Sequence, residues 1–344
     1  MLTFFNEHHA QHTTRQDALP GADRPERIDS VAAELTRRGL GRIVTPHNVS
    51  LNSLERIHTP RYLHCLRSAW SAWLALDPQN AERDLLPAVW PLHGMRRDVE
   101  PESLVGRLGL YAGDTRTPLG AGTWNAAKTG AACAVNAAHA LRLGERGSFA
   151  LTRPPGHHAG ADYFGGGCFL NNAALAAQHL LDDGVQRVAI LDLDEHHGNG
   201  TQDIFYARRD VLTLSIHVDP RSDYPYYLGH ADETGAFEGI HCNMNLPLAR
   251  GAGSTHWLAA LETACLKLAG YAPQALVVAL GAGGAGVADS SGAAFKLSGA
   301  DFLRIGERIG YLGLPTVFVL EGGAAAPELG THVVNVLEGF ETAA

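Results

Sequence analysis

Six short runs of apolar, β-branched residues constrain the fold of this chain more than any other feature: Arg42 to Thr45, Ser148 to Thr152, Val188 to Asp192, Val211 to Ile216, Ala275 to Leu280 and Thr316 to Leu320. A run that is apolar on both faces belongs to a strand covered on both sides, as in parallel sheets packed between helices. Helical stretches lie between the runs. Asn171 to Leu181 is rich in Ala and Leu and is closed by Asp182-Asp183-Gly184. Trp257 to Leu268 is a second, and Phe302 to Leu312 a third, followed by Gly313-Leu314-Pro315 leading into a strand. This alternation predicts crossover units and an α/β fold with a helix-covered sheet. A length of 344 residues could hold two domains, but α/β folds often run this long as one, and we expect a single domain over residues 1–344. Residues 70 to 120 are less regular, with Pro and Trp interspersed. They read as a long excursion from the core, the kind of segment that often binds or assembles.

Composition narrows the partners. The apolar fraction of 45% and the charged fraction of 18% are ordinary for a packed protein. The net charge is −9, and neither a basic stripe nor a basic tail is present, so a nucleic-acid partner is not expected. The negative balance is compatible with a cationic ligand but does not demand one, and plain solubility is the favoured account of it. The five cysteines, Cys65, Cys133, Cys168, Cys242 and Cys265, include no Cys-x-x-Cys pair, which argues against a disulfide scaffold and for a reducing compartment. Met1 to His12 is polar and His-rich, unlike a signal peptide, and no apolar run reaches membrane-spanning length. A soluble, cytoplasmic protein with no membrane partner is the expectation.

Open α/β sheets place their sites just past the C-terminal ends of strands. Four strand ends carry unusual sequences: Arg153-Pro-Pro-Gly-His157-His158, Asp192 to Gly200, Gly281 to Asp289, and Glu321-Gly322-Gly323. In Asp192-Leu-Asp194-Glu-His196, residues two apart project to one side, so Asp192, Asp194 and His196 converge while Leu193 points into the packing. A carboxylate and an imidazole on one face suit Zn²⁺. The plainer alternative has Asp194 capping a helix and His196 in a hydrogen-bond network. The buried-type strand before the run and the second polar strand end favour the metal reading. His157 and His158, being adjacent, should point to different sides and need separate partners, for which Asp192 and Asn199 are candidates. A His held by a carboxylate is a competent general base. The alternative is two surface histidines on a Pro-Pro-Gly loop. Gly283-Gly284-Ala285-Gly286 fits no phosphate-cradling fingerprint, since no Lys or Ser/Thr follows at the required spacing.

The motifs Arg153-Pro-Pro-Gly-His-His158, Cys168-Phe-Leu-Asn-Asn172, Asp192 to Gln202 and Tyr224-Pro-Tyr-Tyr-Leu-Gly229 resemble those of the histone deacetylase superfamily, most closely its bacterial acetylpolyamine amidohydrolases. The likeness runs from about Phe4 to Phe340. It implies an arginase/deacetylase-like parallel sheet sandwiched by helices, a zinc-dependent deacetylase activity on acylated amines, and a homodimer built through an excursion at about 75–122, within which Met95 to Trp124 resembles the loop that narrows the active-site channel. By position, it implies that Asp194 and His196 are zinc ligands. His157 and His158 become the tandem histidines that move protons, paired with Asp192 and Asn199. It also implies a structural potassium site near Asp192, and a tyrosine that helps hold the oxyanion.

The chain departs from that pattern at three places. The third zinc ligand of relatives is an Asp, and Gly283 stands there, in a loop before Phe295 that is about two residues longer than usual. The oxyanion tyrosine follows Glu-Gly-Gly, and Ala324 stands there. An aromatic channel wall precedes the Cys of Cys168-Phe169, and Gly167 stands there, next to Gly166. Catalytic zinc usually has three protein ligands, and losing one oxyanion donor typically costs about 10²–10³ in rate. Asp289 in the lengthened loop is a weak replacement ligand. His217, at a strand end, is either a further donor or a residue on the potassium side, and the second is favoured; with Gly166, Gly167, Phe169 and Ala324 it completes the expected substrate surroundings. Three readings follow: a zinc amidohydrolase with an impaired or altered site, a non-catalytic homologue that keeps the fold, or acid–base chemistry without zinc. Asp98, Glu100 and Asp114 in the excursion could attract a cationic amine.

Overall fold

A computed structural model describes residues 1–15, 23–282, 293–322 and 328–343. Its strands are β1 (Leu2–Phe5), β2 (Arg42–Val44), β3 (Gly147–Leu151), β4 (Val188–Asp192), β5 (Val211–Val218), β6 (Asn243–Leu248), β7 (Ala252–Gly253), β8 (Ala275–Leu280), β9 (Phe295–Lys296) and β10 (Thr316–Leu320). Its α-helices are α1 (Glu26–Arg38), α2 (Leu51–Leu54), α3 (Pro60–Leu76), α4 (Leu104–Leu110), α5 (Thr123–Arg142), α6 (Asn172–Asp182), α7 (Asn199–Phe205), α8 (Ser254–Tyr271), α9 (Gly299–Gly310) and α10 (Leu329–Thr342). Eight strands form one parallel sheet in the order β2-β1-β3-β10-β8-β4-β5-β6.

The two-residue period of a strand explains why helices cover both faces. Along β4, Val188 and Ile190 join a core with Ala131 and Ala134 of α5 and Leu175 of α6. The intervening Ala189 and Leu191 join a second core with Ile28 of α1, Trp257 of α8, Phe302 of α9 and Phe340 of α10. Every residue of β3, β4, β5, β8 and β10 is buried, as fully apolar runs require. Helix α5 carries eight alanines and one glycine in its 20 residues, so it lies close to the sheet and its small side chains pack on most sides.

Three differences from the sequence reading stand out. Residues 70–76 are not part of the irregular excursion, because Tyr62, Leu63, Leu66 and Ala69 bury one face of α3, which continues to Leu76. The His-rich N-terminus opens with strand β1, buried between β2 and β3. And β6, with Asn243, Asn245 and Pro247, forms a sheet edge, where a proline's missing N–H costs nothing. Strands β3, β10, β8 and β4 are consecutive neighbours. The four chemically unusual strand ends therefore meet at the centre of one sheet edge, whose register pairs Asp192 with Ala279 and Leu320 with Leu280.

Candidate active site

The loop after β3 carries the tandem histidines. His157 Nδ1 lies 2.9 Å from Asp192 Oδ2 and His158 Nδ1 lies 2.7 Å from Asn199 Oδ1, so each ring N–H donates to its own partner. Both rings are buried. They do not diverge as an extended segment would make them. This stretch is a turn, and the ring centroids sit 4.0 Å apart at 36°. The loop is held from below and from the side. Glu321 Oε2 accepts from the N–H groups of Gly156 (2.6 Å) and His157 (3.0 Å). His58 donates from Nδ1 to the Gly160 carbonyl (3.0 Å) and accepts the Asn171 N–H at Nε2 (3.0 Å), while the Asn171 amide reaches Ala159 O (2.9 Å).

The two rings differ in charge. Burial works against a charged His157, but the carboxylates of Asp192, Asp194 and Glu321 outweigh it and raise the imidazole to about 10. Burial, with repulsion from His157 and His196, holds His158 well below its ordinary value, and its amide partner Asn199 offers no countercharge. At neutral pH the pair is thus one imidazolium beside one neutral imidazole whose Nε2 is the acceptor, a proton donor and a proton acceptor side by side. Burial pushes the Glu321 carboxyl up to about 7.

Beyond β4, Asp192 Oδ1 accepts the Asp194 N–H (3.0 Å), Asp194 Oδ1 accepts the His196 N–H (3.0 Å), and Asp194 Oδ2 accepts the Gly322 N–H (2.8 Å). Gly281 and Gly322 must be glycines here, since a Cβ at either would overlap the Asp194 carboxylate. Leu193 packs into the core. His196 Nδ1 stands 3.5 Å from Asp194 Oδ1 and its Nε2 stands 3.8 Å from Asp223 Oδ1. Asp194 and His196 thus present two donors at a spacing one ion could bridge. Among the described residues, groups of three donor side chains within 4.8 Å of one another occur at His157, Cys168, Glu321 and at His139, His179, Asp183, but not at Asp194 and His196. Two donors fall short of the three that catalytic zinc needs, so the described residues alone do not fit that ion. Gly283, Asp289 and Ala324 lie outside the described residues.

Gly165 to Cys168 forms a tight turn, with Gly166 and Gly167 at φ of 56° and 77°. A Cβ on Gly167 would meet nothing within 4 Å, so the place of the expected aromatic wall is open space. Phe169 is buried against Phe164 and His12, inside the core. His217 is also fully buried, bonded to Ser215 Oγ (2.8 Å) and Gly229 O (2.9 Å), and burial lowers it to about 4. Of the acids in the excursion, Asp98 pairs with Arg96 at the surface and Glu100 accepts from Tyr111 (2.8 Å). Asp114 accepts from the Gly166 N–H (2.5 Å) and the Tyr224 hydroxyl (3.2 Å). Sequence reasoning named Tyr224 only within a motif. Its ring stands edge-on to His158 at 4.8 Å and to His196 at 6.2 Å, the one aromatic among the described residues in ring contact with both. His58 and Asp223 were not singled out at all. A buried brace and a carboxylate from another loop leave no local signal, although the turn-forming Asp-Tyr-Pro segment marks where Asp223 sits. All five cysteines are free thiols, and no described helix is long and apolar enough to cross a membrane.

Comparison with known proteins agrees with this architecture. The histone deacetylase domain family matches residues 22–340. Acetylpolyamine amidohydrolase 1 of Pseudomonas aeruginosa is 47% identical over 350 residues, covering 100% of both chains. The acetylpolyamine amidohydrolase of Mycoplana ramosa is 37% identical over 344 residues, covering 98% of this chain and 99% of its own. A crystal structure of acetylpolyamine aminohydrolase from Burkholderia pseudomallei superposes with a TM-score of 0.90 at 35% identity, covering 100% of this chain and 99% of that one.

Proposed function

The chain belongs to the histone deacetylase family, among its acetylpolyamine amidohydrolase-like members, and within that family we propose an amidohydrolase-type protein that takes acetylated polyamines or other acylated amines at an impaired metal site. One contrast carries this reading: an acid–base pair with both partners in place, His157–Asp192 and His158–Asn199, beside a donor pair, Asp194 and His196, to which the described residues add no third ligand. His158 would accept a proton from the attacking water, and His157 would return one to the leaving amine. Gly283 and Ala324 cannot supply a ligand or a phenol from their own side chains. Zinc would accordingly be held below one ion per chain, and turnover would be weak.

The test is zinc content with activity. We expect substoichiometric zinc at the Asp194–His196 pair, measurable binding of acetylated polyamines, and turnover at least about 10²-fold below that of the Pseudomonas aeruginosa relative in the same assay. The pair Gly283→Asp and Ala324→Tyr should raise both zinc content and turnover. Stoichiometric zinc with turnover equal to the relative would overturn the impaired site. No binding of any acylated amine would favour the other reading, a non-catalytic homologue, which the structural use of Asp194 by the Gly322 and His196 N–H groups supports. The same proposal includes a homodimer through the excursion, where Leu92, Met95 and Val99 are exposed, and a potassium ion near Asp192 and Ser215.

A further inference from the structure

Helices α5 and α6 pack against each other, and their last turns end side by side. The last turn of α5 carries His139, the last turn of α6 carries His179, and Asp183 caps α6. Asp183 Oδ2 lies 3.9 Å from His139 Nδ1 and 3.7 Å from His179 Nε2. The imidazole centroids are 5.9 Å apart, and one donor atom from each of the three side chains lies within 4.8 Å of the others. These separations are too long for hydrogen bonds. They match two donors that each sit about 2.1 Å from one ion and subtend an open angle. His179 Nε2 is itself buried and has no hydrogen-bond partner.

We propose that His139, His179 and Asp183 form a second metal site, for a divalent transition ion of the zinc, cobalt or nickel class. Two imidazoles and one carboxylate are the donor set such ions prefer over magnesium or calcium. Two helix C-termini converge here, and their partial negative charge favours a cation. Water would fill the remaining positions, since His139 is 55% exposed. One cation already approaches: Arg142 Nε lies 3.7 Å from the same Asp183 oxygen. That side chain is half exposed and its ion pair is worth little, so an incoming ion displaces it at small cost. The site is separate from the tandem histidines. Asn171, at the opposite end of the 11-residue α6, bonds the His loop at Ala159, which puts roughly one helix length, about 16 Å, between the two. A bound ion would clasp α5 to α6 and stabilise the fold by mass action.

The experiment uses the full chain, stripped of metal and of any affinity tag, with His196→Ala introduced to silence the Asp194–His196 pair. Titration with Zn²⁺ and Co²⁺ should then show one ion per chain, a cobalt spectrum with imidazole ligation, and a higher melting temperature. Adding His139→Ala or His179→Gln should each weaken binding roughly tenfold or more and abolish the zinc-dependent rise in melting temperature. Metal-free circular dichroism melts establish that these variants fold. Binding that disappears with His196→Ala alone, or that is unchanged by His139→Ala and His179→Gln together, overturns the site. The result does not depend on whether acylated amines bind, so either reading can fail while the other stands.

Discussion

His58 should make the stability of this fold depend on pH in a way that one substitution can isolate. The ring is 1% exposed and spans two backbone groups, donating to Gly160 O and accepting from the Asn171 N–H. Only the neutral ring can do both. Burial lowers its pKa from 6.5 to about 4, with the Gly160 and Ala161 backbone opposing the shift. Because the folded value is depressed, the stabilisation is fully present above the unfolded value of 6.5 and is lost as pH falls through about 4. The gap of about 2.5 pH units corresponds to ~3 kcal/mol, of which about 2.5 kcal/mol is already gone at pH 4.5. His58→Gln cannot titrate. At neutral pH it should cost about 1–2 kcal/mol, because one backbone partner is left unsatisfied. Urea unfolding of both proteins between about pH 7.5 and 4.5 should show the wild-type advantage shrinking by roughly 2.5 kcal/mol and disappearing or reversing. His58 also braces the loop that carries His157 and His158, so binding of acetylated amines should weaken over the same window in the wild type and not in the variant. Parallel loss of stability in the two proteins would refute the reasoning, as would a His58 ring that titrates near its ordinary value by NMR.

Two further outcomes are expected. Asp192→Asn removes the nearest of the carboxylates that raise His157 to about 10. A raised histidine contributes stability that is present below pH 6.5 and lost as pH rises through about 10, so the variant should lose roughly 3–5 kcal/mol at neutral pH and converge on the wild type at alkaline pH, measured by chemical denaturation together with ring NMR of His157. The thiols should separate by burial: Cys65 (pushed up to about 12), Cys265 (to about 11), Cys133 and Cys168 are buried, whereas Cys242 is partly exposed. Titration with a disulfide reagent should detect about one fast-reacting thiol in the native protein and five after denaturation, and Cys242→Ser should abolish the fast one.

The sheet was legible in the sequence wherever both faces are buried. The six apolar runs include all four strands whose ends build the site, because a strand sandwiched between helices must be apolar throughout. Strand β1 was not legible, being four residues long and followed at once by polar, His-rich sequence. Nor was β6, whose edge position lets it carry asparagines and a proline. Helix α5 lacks a polar face of the usual width, since alanines pack on most of its sides, and the 3.6-residue pattern is correspondingly faint. At the site, the two-residue spacing put Asp192, Asp194 and His196 together. The orientation of His157 and His158 did not follow from adjacency, because it depends on a turn fixed by Glu321 and His58 from distant parts of the chain.

That dependence bears on what retained motif residues mean. Asp194 bonds the Gly322 and His196 N–H groups, and its carboxylate fills the space left by Gly281 and Gly322. Asp192 likewise serves both the Asp194 N–H and the His157 ring. Removing either carboxylate would orphan buried donors and uncouple β4 from the ends of β8 and β10, a cost of about 1–3 kcal/mol per unsatisfied group. Stability alone is therefore enough to keep Asp192 and Asp194 in place, with or without a metal. On the proposed reading, Gly283 and Ala324 take the places of a metal ligand and an oxyanion phenol, and that proposal rests on those two positions rather than on the survival of the Asp-x-Asp-x-His run. A zinc measurement on Asp194→Asn would separate the two roles. If Asp194 is chiefly structural, that variant loses stability while an already low zinc content barely changes; if it is chiefly a ligand, zinc content falls and the fold holds.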